Sequence, residues 1–511
     1  MKTKKRPSKI LQLIFSVFYI LVYVGIMQAQ GSYKVVFEGP KHGIITLIYS
    51  TSDEDFVVCK SNFVFDNFHI FSSDIYTFSN QNPEDTVRWD IDLHKVDTSM
   101  LVRDIRKLSN EGWLISGTGA AKFLEDTIED YKYLNWMMKL DQDKNIQWVK
   151  YHDLPEEVRQ TSELFYMNVI ELSSGNYLYA ESVENDSLPW IVNIILREVT
   201  PVGDIVFTKV FDQSIGGDVM SLSYGFDSAT ILLHKWGRQL YDCPNGTGAF
   251  ILDTAQYDTI GRICYSGNNT YFSSVYNAML HPNGELIVAG MFDNMLGDYI
   301  GVQRYDSTYS IINNILLTAP DTTTYAAWNR CLDINDQGEI IVAGSFDNAL
   351  GAFTTYYDMV YVAKLDPELN LLGERYFSRD AEHNVFSVAG TSDGGVAVGG
   401  FQYDYLVNDY EGDPFVIKTD AGLWLDIPQI NEENVHRALV YPNPGSHEIN
   451  VRTTIKQAIF RLYNVNGDLI LDQPLNQLTT TINTTPLPSG AYWWTVTHEG
   501  QVSDRGKWIK F

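Results

Sequence analysis

The chain has 511 residues and carries 37 Lys and Arg against 64 Asp and Glu, a formal charge of −27. A surface that acidic repels nucleic acid and anionic lipid headgroups, which excludes both as electrostatic partners. The length allows a large core plus a second domain, and four cysteines are too few to be the main scaffold of an exported chain.

The first element is a leader. Lys2, Lys4, Lys5, Arg6 and Lys9 precede an apolar run from Ile10 to Met27, and Gln28-Ala29-Gln30-Gly31 follows. This pattern predicts a signal peptide over residues 1–29, cut near Ala29. The run is long enough for a membrane anchor as an alternative. No Cys lies near the cut, which excludes a lipoprotein. With the five leader cations removed from the 37, 32 basic residues face 64 acidic ones.

Residues 30–425 read as β-rich and repetitive. The clearest copies are Leu280 to Gly290, Leu332 to Gly344 and Val388 to Gly400, with two more at Leu108 to Gly117 and Leu172 to Ala180. Their turn glycines are Gly112, Gly175, Gly284, Gly338 and Gly394. One step is about twice the others, and Phe226 to Leu233 supplies a degenerate copy in that gap. A weak copy at Ser52 to Val58 makes seven. Each copy has a second half, an apolar strand, an Asp-containing turn and another apolar strand, as in Trp136 to Tyr151, Ile194 to Phe211 and Val360 to Phe377. Four short strands in such a unit match one blade of a β-propeller, and blades must stack to bury both faces. The fold class expected is all-β, a seven-bladed β-propeller followed by a small antiparallel β-sandwich. Six or eight blades, or stacked sandwiches, are the alternatives. Lys34-Val35-Val36-Phe37 has the fourth-strand pattern and could complete the last blade. Cys243 and Cys264 flank a hairpin-sized segment and could form a disulfide, or remain buried thiols like Cys59 and Cys331.

Within the blades the first-to-second turn is tight, as at Asn335 to Gly338, and so is the third-to-fourth, as at Asp366 to Asn370. The second-to-third connections read as longer loops and share the opposite face. They carry Asp293, Asn294, Asp298 and Tyr299, then Asp347, Asn348, Tyr356, Tyr357 and Asp358, then Tyr403, Tyr405, Asp409 and Tyr410. Tyrosine rings with acidic and amide acceptors suit sugars or a protein surface, so these residues are the candidate binding face.

Residues 426–440 read as a linker, and residues 441–511 as a separate small sandwich. Its signals are Tyr441-Pro442-Asn443-Pro444, strand alternation at Ile449 to Val451 and Phe460 to Tyr463, and an Asn-Gly hairpin ending at Gly467. They continue with Gly490, Tyr492, Trp493 and Trp494, and end on Lys507, Lys510 and Phe511. In that order these motifs closely resemble the type A C-terminal sorting domain of the type IX secretion system, with Trp493 and Trp494 where aliphatics are usual. The resemblance implies engagement with the type IX secretion machinery, export across the outer membrane, removal of the domain, and display or release at the cell surface. Asp-Ser/Thr steps such as Asp85-Thr86-Val87 and Asp253-Thr254-Ala255 are also similar to the O-glycosylation sequon of bacteria with this system, although turn chemistry explains them equally.

Catalytic signals are weak. Gly390-Thr391-Ser392-Asp393-Gly394 matches a nucleophile elbow, but it aligns with a repeat turn and no helix follows. Asp141, Asp143 and Asn145 have calcium-loop spacing, yet Ile146 replaces the needed Gly and no Glu follows. The histidines make no HExxH pair and the cysteines no CxxC, so the sequence calls for no metal and no cofactor. A glycosidase carboxylate pair needs only to converge in space, and nothing singles one out. The function expected is a noncatalytic module that binds a glycan or surface protein. A secreted hydrolase or lyase and a structural surface-layer component are the alternatives. No transmembrane span is expected in the mature protein.

Overall fold

The computed structural model describes residues 32–511 apart from 38–41, 52–54, 65–68, 92–97, 124–129, 154–163, 186–187, 212–217, 228, 237–242, 244–246, 268–269, 295–296, 318–323, 347–357, 379–380, 404–411, 424, 426–437, 442–444, 454–457, 466, 476–478 and 499–500. The leader therefore lies outside the described residues. Two compact units are present, residues 1–428 and 429–511. Among the described residues there is no α-helix, and none is long and apolar enough to cross a membrane.

The larger unit is a succession of antiparallel sheets, each built from consecutive strands. The first comprises His42–Ser50, Asp55–Val64, His69–Ser79 and Val87–Arg88, and the second Thr98–Lys107, Trp113–Phe123, Asp130–Leu140 and Ile146–His152. The third holds Leu164–Glu171, Tyr177–Asn185, Leu188–Val199 and Ile205–Phe211, and the fourth Asp218–Tyr224, Thr230–Trp236, Gly248–Asp253 and Thr259–Cys264. The fifth runs Thr270–Leu280, Leu286–Asn294, Gly297–Tyr305 and Ile311–Leu317, with Ser266–Gly267 beside its first strand. The sixth has a first strand broken into Thr324–Ala326 and Leu332–Ile334, then Ile340–Phe346, Met359–Leu365 and Leu371–Phe377. The seventh contains Glu382–Gly390, Val396–Tyr403 and Asp413–Lys418.

The outer strand of the seventh sheet comes from the start of the chain. Tyr33–Val36 pairs antiparallel with Asp413–Lys418, Tyr33 opposite Lys418 and Val36 opposite Phe415. Tyr33 and Val35 are buried with Ile45, Phe56 and Val416, and the Tyr33 hydroxyl donates to the Ser79 carbonyl at 2.7 Å. Each sheet packs on its successor, and the first packs on the seventh, a propeller-like arrangement.

Polar groups set the stacking. The first strands of all sheets except the sixth carry register slips, for example between Val102 and Asp104 and between Val385 and Ser387. A bulge leaves an N–H without a ladder partner. The preceding sheet accepts it: Val102 N–H donates to Ser73 Oγ at 3.2 Å, Val219 N–H to Ser182 Oγ at 2.7 Å, and Val385 N–H to Ser345 Oγ at 3.0 Å. A second set of acceptors, on the first strands themselves, reaches the next sheet. Asp104, Asn168, Asn277 and Asp333 accept from the amides of Val169, Leu222, Cys331 and Gly390, and Ser387 Oγ accepts from Ile48 at 2.9 Å, joining the seventh sheet to the first. Buried amides are costly unless paired, so these bonds select the stacking partner as well as stabilise it.

Cys243 and Cys264 are joined as a disulfide, tying the second-to-third connection of the fourth sheet to its outer strand, while Cys59 and Cys331 are buried free thiols.

The smaller unit is two facing sheets. One pairs Ala438–Tyr441, Glu448–Thr453 and Thr479–Asn483; the other is ordered Leu469–Leu475, Ala458–Tyr463, Gly490–His498 and Gln501–Lys510. Strict alternation buries Ala458, Phe460 and Leu462, which meet Ile449, Val451, Trp494 and Trp508 between the sheets.

Candidate functional site

The two faces of the larger unit differ. On one, the first-to-second and third-to-fourth turns are short and closed by backbone bonds, as in Leu172 to Asn176, Asn335 to Glu339 and Asp366 to Asn370. Gly338 adopts φ +77° there, a conformation that a side chain would strain. The elbow-like segment is one of these turns: Gly394 N–H donates to the Thr391 carbonyl, and the Asp393 carboxylate accepts from Lys418 Nζ at 2.8 Å. Asp141 is another; its Oδ1 accepts from the amides of Asp143 and Asn145, which leaves a turn in place of a calcium loop.

The opposite face carries the second-to-third connections, most of whose residues fall outside the described set. Asp347, Asn348, Tyr356, Tyr357, Tyr405, Asp409 and Tyr410 all fall outside the described residues. In the fifth sheet the expected long loop is a tight hairpin, because the strands run on until Asn294 faces Gly297, placing Asp293, Asn294 and Asp298 within strands. Tyr299, Asp358 and Tyr403 are buried, 5%, 1% and 5% exposed. Asp358 accepts from the His383 amide, so its role in the structure is to hold the seventh sheet.

The axis holds a feature that sequence reasoning missed. Where the first strand of the sixth sheet breaks, Trp328, Asn329 and Arg330 leave it. Asn329 and Arg330 donate backbone N–H bonds to the Phe386 carbonyl of the seventh sheet, and Asn329 Nδ2 donates to the Thr46 carbonyl of the first at 2.7 Å. The Arg330 guanidinium lies 5.7 Å from the Tyr49 ring centre and donates to Asp333 Oδ1 at 2.5 Å. Burial opposes its charge, but Asp333, Tyr49 and Asp104 hold its pKa above the usual value. A cleft of about 180 Å³ opens here, lined among others by Tyr49, Thr51, Arg330, Asp336 and Thr391. The available signal was Trp328-Asn329-Arg330 interrupting an otherwise apolar approach to the Leu332 repeat.

A wider cleft of about 600 Å³ lies between the turns of the second, third and fourth sheets, over Leu172, Tyr224 and Phe226. The Glu171 carboxylate at its edge accepts from the Ser109 amide at 2.9 Å and hydroxyl at 2.8 Å.

Other perturbed ionisable groups are buried between sheets. Burial lowers His152 to about 4, and its Nδ1 lies 2.7 Å from the Tyr179 hydroxyl. The same hydroxyl accepts from Arg197, which faces Glu181 at 3.4 Å; burial raises Glu181 to about 7 against the opposing pull of Arg197. Burial lowers His234 to about 3, between the Tyr265 and Ser223 hydroxyls. No group of three or more potential metal ligands is found among the described residues.

In the smaller unit the motif residues have local geometric roles. Gly467 takes φ +87° in the Asn464 to Asp468 turn, and the Tyr492 hydroxyl donates to the Pro488 carbonyl at 2.7 Å. Lys510 donates to the Ser446 carbonyl, Lys507 is exposed, and Gly490 opens the strand that carries Tyr492. Tyr441 ends a strand, and Pro442, Asn443 and Pro444 lie outside the described residues.

Residues 439–510 match the family model of the secretion system C-terminal sorting domain. This domain engages the type IX machinery and takes the chain through the periplasm to the cell surface or the extracellular space. No curated protein matches the chain. Among solved structures it is similar to a protein of unknown function from Dyadobacter fermentans, at 10% identity and TM-score 0.42, over 77% of this chain and 98% of that one. It is also similar to the Dos1 propeller, at 11% identity and TM-score 0.39, over 76% and 94%. A third is PorZ, a surface component of the type IX secretion system of Porphyromonas gingivalis, at 10% identity and TM-score 0.30, over 95% and 85%. Likenesses this loose leave the fold to rest on the sheet order itself.

Proposed function

We propose that the larger unit is a seven-bladed β-propeller, made with a cleavable signal peptide over residues 1–29, that serves as a noncatalytic binding or adhesion module outside the cell. Its ligand is a glycan or a surface protein, taken on the face of the second-to-third connections. The observation that carries this reading is the asymmetry between the faces. One is closed by short hydrogen-bonded turns, whereas on the other the chain runs from Phe346 to Met359 and from Tyr403 to Asp413 between strands, through segments rich in Tyr, Asp and Asn. Connections of that length on a rigid scaffold are where recognition residues concentrate. The buried hydrogen bonds of His152 and His234 to the Tyr179 and Tyr265 hydroxyls, and the buried pairing of Glu181 with Arg197 within the third sheet, support a structural rather than catalytic use of those groups.

The test is capture on glycan and surface-protein arrays by the purified chain and by a variant with Tyr356, Tyr357, Tyr405 and Tyr410 changed to Ala. Capture by the parent and its loss in a variant of unchanged melting temperature is the expected result. Retained capture in the variant would overturn the assignment of the face.

A further inference from the structure

Six of the seven sheets in the larger unit begin with an unbroken first strand; the sixth does not. Such a break forfeits ladder bonds, and departures from an otherwise consistent pattern concentrate at functional sites. This one brings Arg330 to the axis, where its side chain keeps 19% of its exposure. One terminal nitrogen bonds Asp333. The remaining guanidinium N–H donors make no bond to the described residues, and Arg330 is one of the residues lining the cleft shared by the first, sixth and seventh sheets.

The charge arrangement selects the ligand. Asp333 already balances Arg330, and Asp336 adds an exposed carboxylate at the rim with no bond to the described residues. A carboxylate, sulfate or phosphate entering here would add a second negative charge to a region already facing Asp336, on a chain of net charge −27. An ammonium would meet the guanidinium. A neutral polyol satisfies both ends, since its oxygens accept from Arg330 and its hydroxyls donate to Asp336. The hydroxyls of Ser50, Thr51 and Thr391 continue the polar wall. At about 180 Å³ the cleft is smaller than the ~300–1,000 Å³ of a drug-sized site, which restricts it to a single ring.

We infer that the axial cleft around Arg330 is a second binding site, on the tight-turn face, that takes one ring of a neutral saccharide. The site is separate from the long-connection face and does not depend on that face binding anything.

The purified full chain is titrated with the methyl glycosides of glucose, galactose and mannose and with glucuronate, followed by saturation-transfer NMR. At least one neutral glycoside binds in the millimolar range, and glucuronate does not. Arg330→Gln weakens that glycoside about tenfold, as expected for losing a hydrogen bond from a charged donor, and Asp336→Ala weakens it about threefold. The roughly tenfold loss from Arg330→Gln recurs when it is made in the variant lacking Tyr356, Tyr357, Tyr405 and Tyr410, so it reports the cleft and not the long-connection face. No binding of any neutral glycoside, tighter binding of glucuronate, or equal affinity in both cleft variants overturns the inference. An Arg330→Gln effect that vanishes in the tyrosine background would also overturn it, while leaving the long-connection reading intact. If Arg330→Gln melts early, Asp336→Ala decides the matter, because that side chain is exposed and bonds nothing in the fold.

Discussion

The larger and smaller units solve the same problem, the face that a single sheet cannot bury alone, in different ways. In the larger one, polar side chains such as Ser73, Ser182 and Ser387 reach from sheet to sheet, and the chain's own start covers the last edge as Tyr33–Val36. In the smaller one, an apolar layer around Trp494 and Trp508 holds two short sheets together. The difference teaches that a stack of many similar sheets needs directional bonds to fix its order, whereas two sheets need only complementary apolar faces.

The comparison breaks most visibly at the closing strand. Deleting residues 30–37 exposes the edge of Asp413–Lys418 and removes the burial of Tyr33 and Val35, a loss of roughly 5 kcal/mol at about 1.5–3 kcal/mol per buried side chain plus the strand's ladder. Calorimetry should show the larger unit melting several degrees lower, with the smaller unit's transition unmoved. Trp508→Ala should do the reverse. Its side chain is fully buried, so the smaller unit loses about 3–5 kcal/mol and the larger none.

Reducing the Cys243–Cys264 bridge should cost the larger unit about 3 kcal/mol, the scale for a loop of this length, and its transition alone should shift under reductant. A smaller effect is expected from pH. His152 and His234 have folded values below the ordinary histidine value, so the unfolded chain binds more protons as pH falls from about 6.5 towards 4. Their stability contribution is present above that window and lost on descent. Glu181 is raised to about 7, so its contribution has the opposite sign and fades as pH rises through that value. The net expectation is a larger unit that loses a few kcal/mol between pH 6.5 and 4, and Glu181→Gln should steepen the fall. A flat melting temperature across that window would contradict the burial of the two histidines.

The smaller unit was legible because each motif residue does a local job: Gly467 accepts a left-handed turn, and Tyr492 bonds four residues back. The repeat in the larger unit was legible for a similar reason, since turn glycines and alternating apolar residues recur with the sheets, and Lys34 to Phe37 shares the outer-strand pattern. Spacing alone left Cys243 and Cys264 open between a bridge and free thiols, because it says nothing of how the connection after Trp236 folds back onto the outer strand. The hairpin at Asn294 and Gly297 was hidden because polar Asp293 and Asp298 look like loop residues even when the strands continue through them. Arg330 was hidden because one arginine makes no motif. Its position depends on where a strand breaks, which only the stacking of the first, sixth and seventh sheets determines.

The central claim is that a self-contained propeller-like body is carried outside by a separate address. The most direct test is to end the chain after Pro428, at the boundary between the two units, and follow the product by cell fractionation and protease protection. The account predicts a folded, protease-resistant body retained in the periplasm, while the full chain reaches the surface or the medium. A truncated body found outside the cell in the same amount as the parent would contradict it.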